Sequence, residues 1–209
     1  MSAFVTGLRS GVPDRPVVLA AGQGAFLYLL GDVVRDAGQR LRLLNLSRAQ
    51  TLAAVRAGRA HLGVAVLDVL PDDLRSVPLG SWPQALVMPR GHPLARRRTV
   101  SIRDLDGEPL IVPPPERPHR ITVERALRGA GIPLSIAVEA EGWPLMLHFV
   151  TLGVGVAVVN GCVRAPAGLV RRPVRDLPTV EYYAVHLPGA LDDTRVSALL
   201  AGIRAATEN

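Results

Sequence analysis

The spacing of apolar residues changes period several times along this chain, and each change marks an element. Val17 to Ala21 (VVLAA) is an unbroken apolar run of strand length. Gly22-Gln23-Gly24 interrupts it. From Ala25 the apolar residues return with helical spacing to about Ala37, where Gly38 supplies a stop. Leu41 to Leu46 reads as the next strand. Ser47 is a good N-cap for a helix over Ala49 to Ala57, ended by Gly58. His61 to Leu67 (HLGVAVL) is a third strand, nearly all apolar, as a central strand covered on both faces must be. Strand, helix, strand, helix, strand at these lengths is the pattern of an α/β layer fold.

The pattern loosens after Pro78. Leu79 to Met88 reads as extended, Pro89 to Pro93 as a turn cluster, and Ser101 as the cap of a short helix Ile102 to Leu105. Leu110 to Val112 is a strand closed by Pro113-Pro114-Pro115, which can continue neither a helix nor a central strand. A helix Ile121 to Ala130, a strand Ile136 to Glu139, a helix Trp143 to Leu152 and a strand Gly155 to Val159 follow. Tyr182 to His186 alternates as a strand should. The last helix, Asp193 to Ala206, sets Val196, Leu199, Leu200 and Ile203 on one face. Residues 1–15 read as a leader, with Phe4 to Leu8 as the last turn of a helix begun outside the chain.

Composition excludes several classes. Hydrophobic content is 48% of 209 residues, which supports a real core and rules out general disorder. No apolar run approaches the roughly 18 residues of a membrane span, and no signal peptide is visible, so a cytoplasmic location without membrane contact is expected. Cys162 is the single cysteine, so an intrachain disulfide is impossible. The net charge of +6 comes from 24 basic residues, all arginine. They are scattered, and aromatic content is 4%, too little for a base-stacking platform, so the chain itself is not expected to bind DNA. His61, His92, His148 and His186 show no metal-site spacing, and neither a metal nor a cofactor is expected.

The strand–turn–helix at Val17 to Gly31 aims free backbone N–H groups at whatever lies above the turn. A short Gly-x-Gly turn is a weak signal, and a tight turn without a ligand is the competing reading. Four stretches in order carry more. They are AAGQGAFLYLLG, TLAAVRAGRAHLGVAVLD, LVMPRGHPLARRRTVSIRDLDGEPLIV and FVTLGVGVAVVNGCV. Together they resemble the effector-binding domain of LysR-type transcriptional regulators, from about Val17 to Ala206.

That resemblance implies two Rossmann-like α/β subdomains joined by two crossover strands, as in type 2 periplasmic binding proteins. Subdomain I would hold residues 16–86 plus 181–209, and subdomain II residues 87–180. It implies a small-molecule effector in the cleft, a homodimer or homotetramer, and DNA contact only through an N-terminal winged helix-turn-helix that this chain lacks. The chain is then either a fragment or a free-standing domain, the latter a small-molecule binding protein or an enzyme. Neither paired carboxylates nor a nucleophile–base pair can be placed in the cleft, so no catalytic residue is expected. The first turn departs from the family by carrying Gln23 where a serine or threonine is usual.

The ligand-binding candidates follow. Gly22, Gln23, Gly24 and Ala25 would hold a polar head group. Ser47 and Arg48 follow the second strand, with Arg48 able to grip a carboxylate. Val66 and Leu67 would form an apolar floor. Val112, Pro113, Pro114, Arg117 and His119 would face them across the cleft. Trp143 would cover the ligand, and Asn160, standing where the family usually has proline, would bond it from the last strand. Solvated arginines at 48 and 117 and a core-packing Trp143 are the competing readings.

Overall fold

The computed structural model describes residues 15–207. The helical turn expected at Phe4 to Leu8 lies outside them. In chain order the elements are β1 (Val17–Ala21), α1 (Gln23–Tyr28), α2 (Gly31–Asp36), β2 (Leu41–Asn45), α3 (Arg48–Arg56), β3 (Leu62–Val66), β4 (Arg75–Trp82) and β5 (Ala85–Pro89). Then come β6 (Leu110–Val112), α4 (Pro118–Gly129), β7 (Ile136–Glu139), α5 (Trp143–Thr151), β8 (Ala157–Val159), β9 (Leu169–Pro173), β10 (Val180–His186) and α6 (Thr194–Thr207).

Two larger sheets and a separate parallel pair of strands organise them. The first runs β2-β1-β3-β10-β4. Its β1 pairs in parallel with β2 and β3, while β10 runs antiparallel to β3 and β4. The second is an antiparallel β8-β5-β9, which meets the parallel pair β6-β7 through a bridge between Leu110 and Val156. The mixed α/β architecture expected from the pattern is present. Chain passes from the first sheet to the second between Trp82 and Ala85, and returns between Pro173 and Val180.

Gln84 ties the two passages together. Its carbonyl accepts from Val174 N–H at 2.8 Å, and its side-chain amide donates to the Pro178 carbonyl at 3.0 Å. One apolar cluster runs beneath both sheets, with Leu19, Leu30, Ile203, Val87, Met146 and Ala157 all fully buried. Burial at roughly 25 cal/mol per Å² makes this shared core the main support of the two-sheet arrangement.

Three expectations need correction. The helix drawn from Ala25 to Ala37 is two helices. Leu29 and Leu30 both donate to the Ala25 carbonyl, and the chain restarts at Gly31. The break turns Leu30 and Val33 inward, onto a cluster shared with Val196, Leu199 and Ile203 of α6. One straight helix would have left part of that apolar surface in water. The strand β9 was not foreseen, because LVRRP reads as charged. Its arginines spend their charge on backbone oxygens: Arg172 Nη2 donates to Ala95 O at 2.8 Å, and Arg171 to the Gly161 and Val163 carbonyls. Finally, α4 begins at Pro118, not Ile121. Proline in the first turn forfeits only an N–H that has no helical partner anyway.

Candidate functional site

The two parallel strand pairs, β1/β2 and β6/β7, are built alike, and each of the four strands feeds a helix at its carboxyl end. The helix starts meet around one cavity of about 500 Å³. One wall is Gly22, Gln23 and Gly24 of the α1 start, with Asn45, Leu46, Ser47, Arg48 and Gln50 around the α3 start. The other is Pro113, Arg117, Pro118 and His119 of the α4 start, with Glu141, Gly142, Trp143 and Met146 of the α5 start. Carboxyl ends of parallel strands are where α/β folds collect helix N-termini and ligands.

The four starts differ in one respect. At α3, Ser47 Oγ accepts from Gln50 N–H at 3.4 Å and Gln50 Oε1 accepts from Ser47 N–H at 3.0 Å, a reciprocal cap. At α1, α4 and α5 no side chain caps the helix. Ala25 N–H of α1 donates to the Gly22 carbonyl at 3.0 Å, and Pro118 and Pro144 have no N–H to give. The other first-turn N–H groups there remain for water or a ligand, and the helix dipoles favour negative charge beside them.

Glycine sets how closely the walls approach. A Cβ on Gly24 would stand 2.9 Å from the Trp143 indole, so the ring lies directly against the α1 turn. A Cβ on Gly142 would stand 3.0 Å from Gln23 Oε1, and its φ of 91° is a conformation that favours glycine. Gln23 and Trp143 therefore close the cleft from opposite sides.

The charges are largely matched inside the site. Arg48 Nη1 lies 2.9 Å from Asp68 Oδ2, and Arg117 pairs with Glu141. His119 adds no charge at neutral pH. Burial pulls its pKa down to about 4, against the lesser opposing effect of its bond to the Val158 carbonyl at 2.8 Å. Its ring stands edge-on to Trp143, with centroids 4.9 Å apart. The positive field expected from Arg48, Arg117 and His119 is thus mostly cancelled by Asp68, Glu141 and neutrality.

Of the sequence candidates, Gly22, Gln23, Gly24, Ser47, Arg48, Pro113, Arg117, His119 and Trp143 stand together on the cavity wall. The others stand elsewhere. Ala25 and Val66 pack on the shared core, Leu67 on the cluster beneath α3, and Val112 in the core of the second sheet. Pro114 is half-buried off the wall, and Asn160 Nδ2 donates to Tyr182 Oη at 3.3 Å. The apolar surface comes instead from Leu46, Pro113, Pro118, Trp143 and Met146. Asn45 and Leu46 were legible as the end of the strand beside β1. Gly142 and Glu141 were not, since only the turn's left-handed geometry and the Arg117 pairing bring them in.

Outside the cleft, His61 Nδ1 accepts from Val18 N–H at 2.9 Å, His92 bonds Glu108 at 3.1 Å, and His186 is buried. Among the described residues no cluster of metal-ligating side chains occurs, and no helix is long and apolar enough to cross a membrane.

Residues 12–208 match the LysR substrate binding domain family. The chain belongs to that family. It is 28% identical over 178 residues to the transcriptional regulator SsuR of Burkholderia cenocepacia, covering 82% of this chain and 55% of SsuR. The chain thus spans about half the length of that curated relative. Among solved structures, a LysR-family regulator from Pseudomonas aeruginosa superposes with a TM-score of 0.77 at 17% identity, over 94% of this chain and 75% of that one. The effector-binding domain of QuiR in complex with shikimate gives 0.73 at 11% identity, over 93% and 97%. At these identities the likeness speaks to fold: two α/β units of the type 2 periplasmic-binding-protein kind.

Proposed function

We propose that this LysR-type domain senses a small polar or carboxylate-bearing organic effector held between Gln23–Gly24 and His119–Trp143, and that no reaction follows binding. The observation that carries it is the convergence of three uncapped helix starts on one cavity, two of them on the longer helices α4 and α5. Such starts supply backbone donors for an oxyanion or carbonyl, and the matched arginines leave room for one added negative charge. The lobes would divide at the two passages, between Trp82 and Ala85 and between Pro173 and Val180, a few residues before the 86/87 and 180/181 boundaries expected from the sequence. An effector that touches both walls binds the closed arrangement better than the open one, which shifts the population toward closure. In a longer cytoplasmic regulator that shift would be read by a DNA-binding segment.

The same reading includes self-association. Leu27 of α1 and Leu43 of β2 are exposed on the first lobe, and Ile136 of β7, Leu152 and Val154 on the second. Two copies side by side and antiparallel would cover both faces. Light scattering is expected to show a dimer or higher oligomer, with Leu27→Glu shifting it toward monomer.

Calorimetry with a panel of small carboxylic acids, on the parent and on Gln23→Ala and Trp143→Ala, tests the cleft. Loss of affinity in both variants is expected. Unchanged affinity in both would falsify the assignment.

A further inference from the structure

The cavity wall contains one acceptor whose direction of bonding the fold has already decided. His119 Nε2 lies 2.8 Å from the Val158 carbonyl oxygen. A carbonyl can only accept, so Nε2 carries the proton. In the neutral ring Nδ1 is then a bare lone pair. No hydrogen-bond partner for Nδ1 occurs among the described residues, and the ring lines the cleft. Trp143, edge-on at 89°, holds the ring against rotation. Burial opposes a second proton that would turn Nδ1 into a donor.

We propose that His119 Nδ1 reads a hydrogen-bond donor on the effector, so that the ligand class is an acid bearing a hydroxyl or amine and not a bare carboxylic acid. This rests on the cleft reading above and adds a polarity to it. The helix starts of α1, α4 and α5 present donors to the acid group, while His119 presents an acceptor to another part of the same molecule. A ligand without the donor leaves Nδ1 desolvated and unpaired, which costs more than a missing contact.

Two substitutions separate the two ring nitrogens. His119→Gln sets an amide near the position of Nε2, so the Val158 bond survives and the Nδ1 acceptor is lost. His119→Asn sets an amide oxygen near the position of Nδ1 and gives up the Val158 bond. The probes are acids matched except for the donor: lactate against propionate, and 4-hydroxybenzoate against benzoate. Affinities are measured by calorimetry on the parent, both variants and Gly24→Leu, whose side chain would fill the space beside Trp143.

In the parent the donor-bearing acid is expected to bind about tenfold or more tightly than its partner. His119→Gln is expected to abolish that preference while still binding the acids, and His119→Asn to keep it. Equal binding within every pair by the parent, or a preference that survives in His119→Gln, overturns the inference. The cleft reading then still stands provided Gly24→Leu removes binding. Binding that Gly24→Leu leaves intact, or no binding of any acid at millimolar concentration, overturns the cleft reading and the inference with it.

Discussion

The helix starts of α3 and α1 are built on neighbouring parallel strands, yet they end differently. At α3 the sequence S-x-x-Q closes the helix on itself through Ser47 and Gln50. At α1 the sequence Gly22-Gln23-Gly24 supplies no cap. Both border the same cavity. A cap is worth about 1 kcal/mol to a helix, so leaving one out is a small loss of stability that keeps backbone donors available. The α4 and α5 starts, with Arg117 and Gly142 at the cap positions, follow α1. The contrast teaches where recognition is expected: on the open starts, with the closed one serving as frame.

The largest expected effect comes from filling the open side. Gly24→Leu brings a branched side chain into space where even a Cβ would meet the Trp143 indole at 2.9 Å. Effector affinity should fall by at least about a hundredfold, or roughly 3 kcal/mol, while circular dichroism stays native. Near-parental binding would mean the ligand sits elsewhere.

Next in size is the acid response of His119, at the second position of α4. In the unfolded chain this imidazole protonates near its ordinary value of 6.5; folded, it resists until about 4. Between those values the unfolded state holds more protons, so stability rises with pH. The contribution is complete above pH 6.5 and disappears as pH falls toward 4, with a ceiling of roughly 3 kcal/mol. Denaturant titrations across this window should be steep for the parent and flatter for His119→Gln. Parallel curves would show that His119 is more hydrated than the packing indicates.

Much of this frame is legible in the sequence. β1 has the bounds its apolar run gives, β2 and β3 fall inside theirs, and Ser47 caps α3 as its residue type requires. What escaped were properties of pairs distant in sequence. Asp68 and Glu141 offset Arg48 and Arg117 from separate loops, which no local pattern encodes. The β9 arginines become strand residues only because carbonyls at Ala95, Gly161 and Val163 are free to receive them. Val66 and Leu67, strand-end residues by position, turn into cores because α3 and the shared core beneath the sheets offer them more burial than the cleft does.

The contrast can also be exchanged between starts. Gly22 has φ −74° and ψ 156°, values open to any residue, and a Cβ there meets nothing closer than Leu46 O at 3.7 Å. Gly22→Asp should therefore cap α1 without strain and leave stability unchanged or raised by a few tenths of a kcal/mol. Its carboxylate would occupy the donors proposed for the effector and repel an acid, so affinity should drop about tenfold. A variant that gains stability and keeps full affinity would remove α1 from the site.

Ser47→Ala gives the smallest effect and the opposite signature. The hydroxyl lost is the one that accepts from Gln50 N–H, and the Gln50 amide loses the partner geometry that holds it over Ser47 N–H. Stability should fall by about 1 kcal/mol, or roughly 2–4 °C in Tm for a chain of this size. Effector affinity should change by less than about twofold, because the cap already uses this hydroxyl. The measurement is a melting curve paired with calorimetry on the same preparation. If affinity falls as far as in Gly22→Asp while the melting temperature holds, the Ser47 hydroxyl faces the ligand, and the division between frame and open starts must be redrawn with α3 on the recognising side.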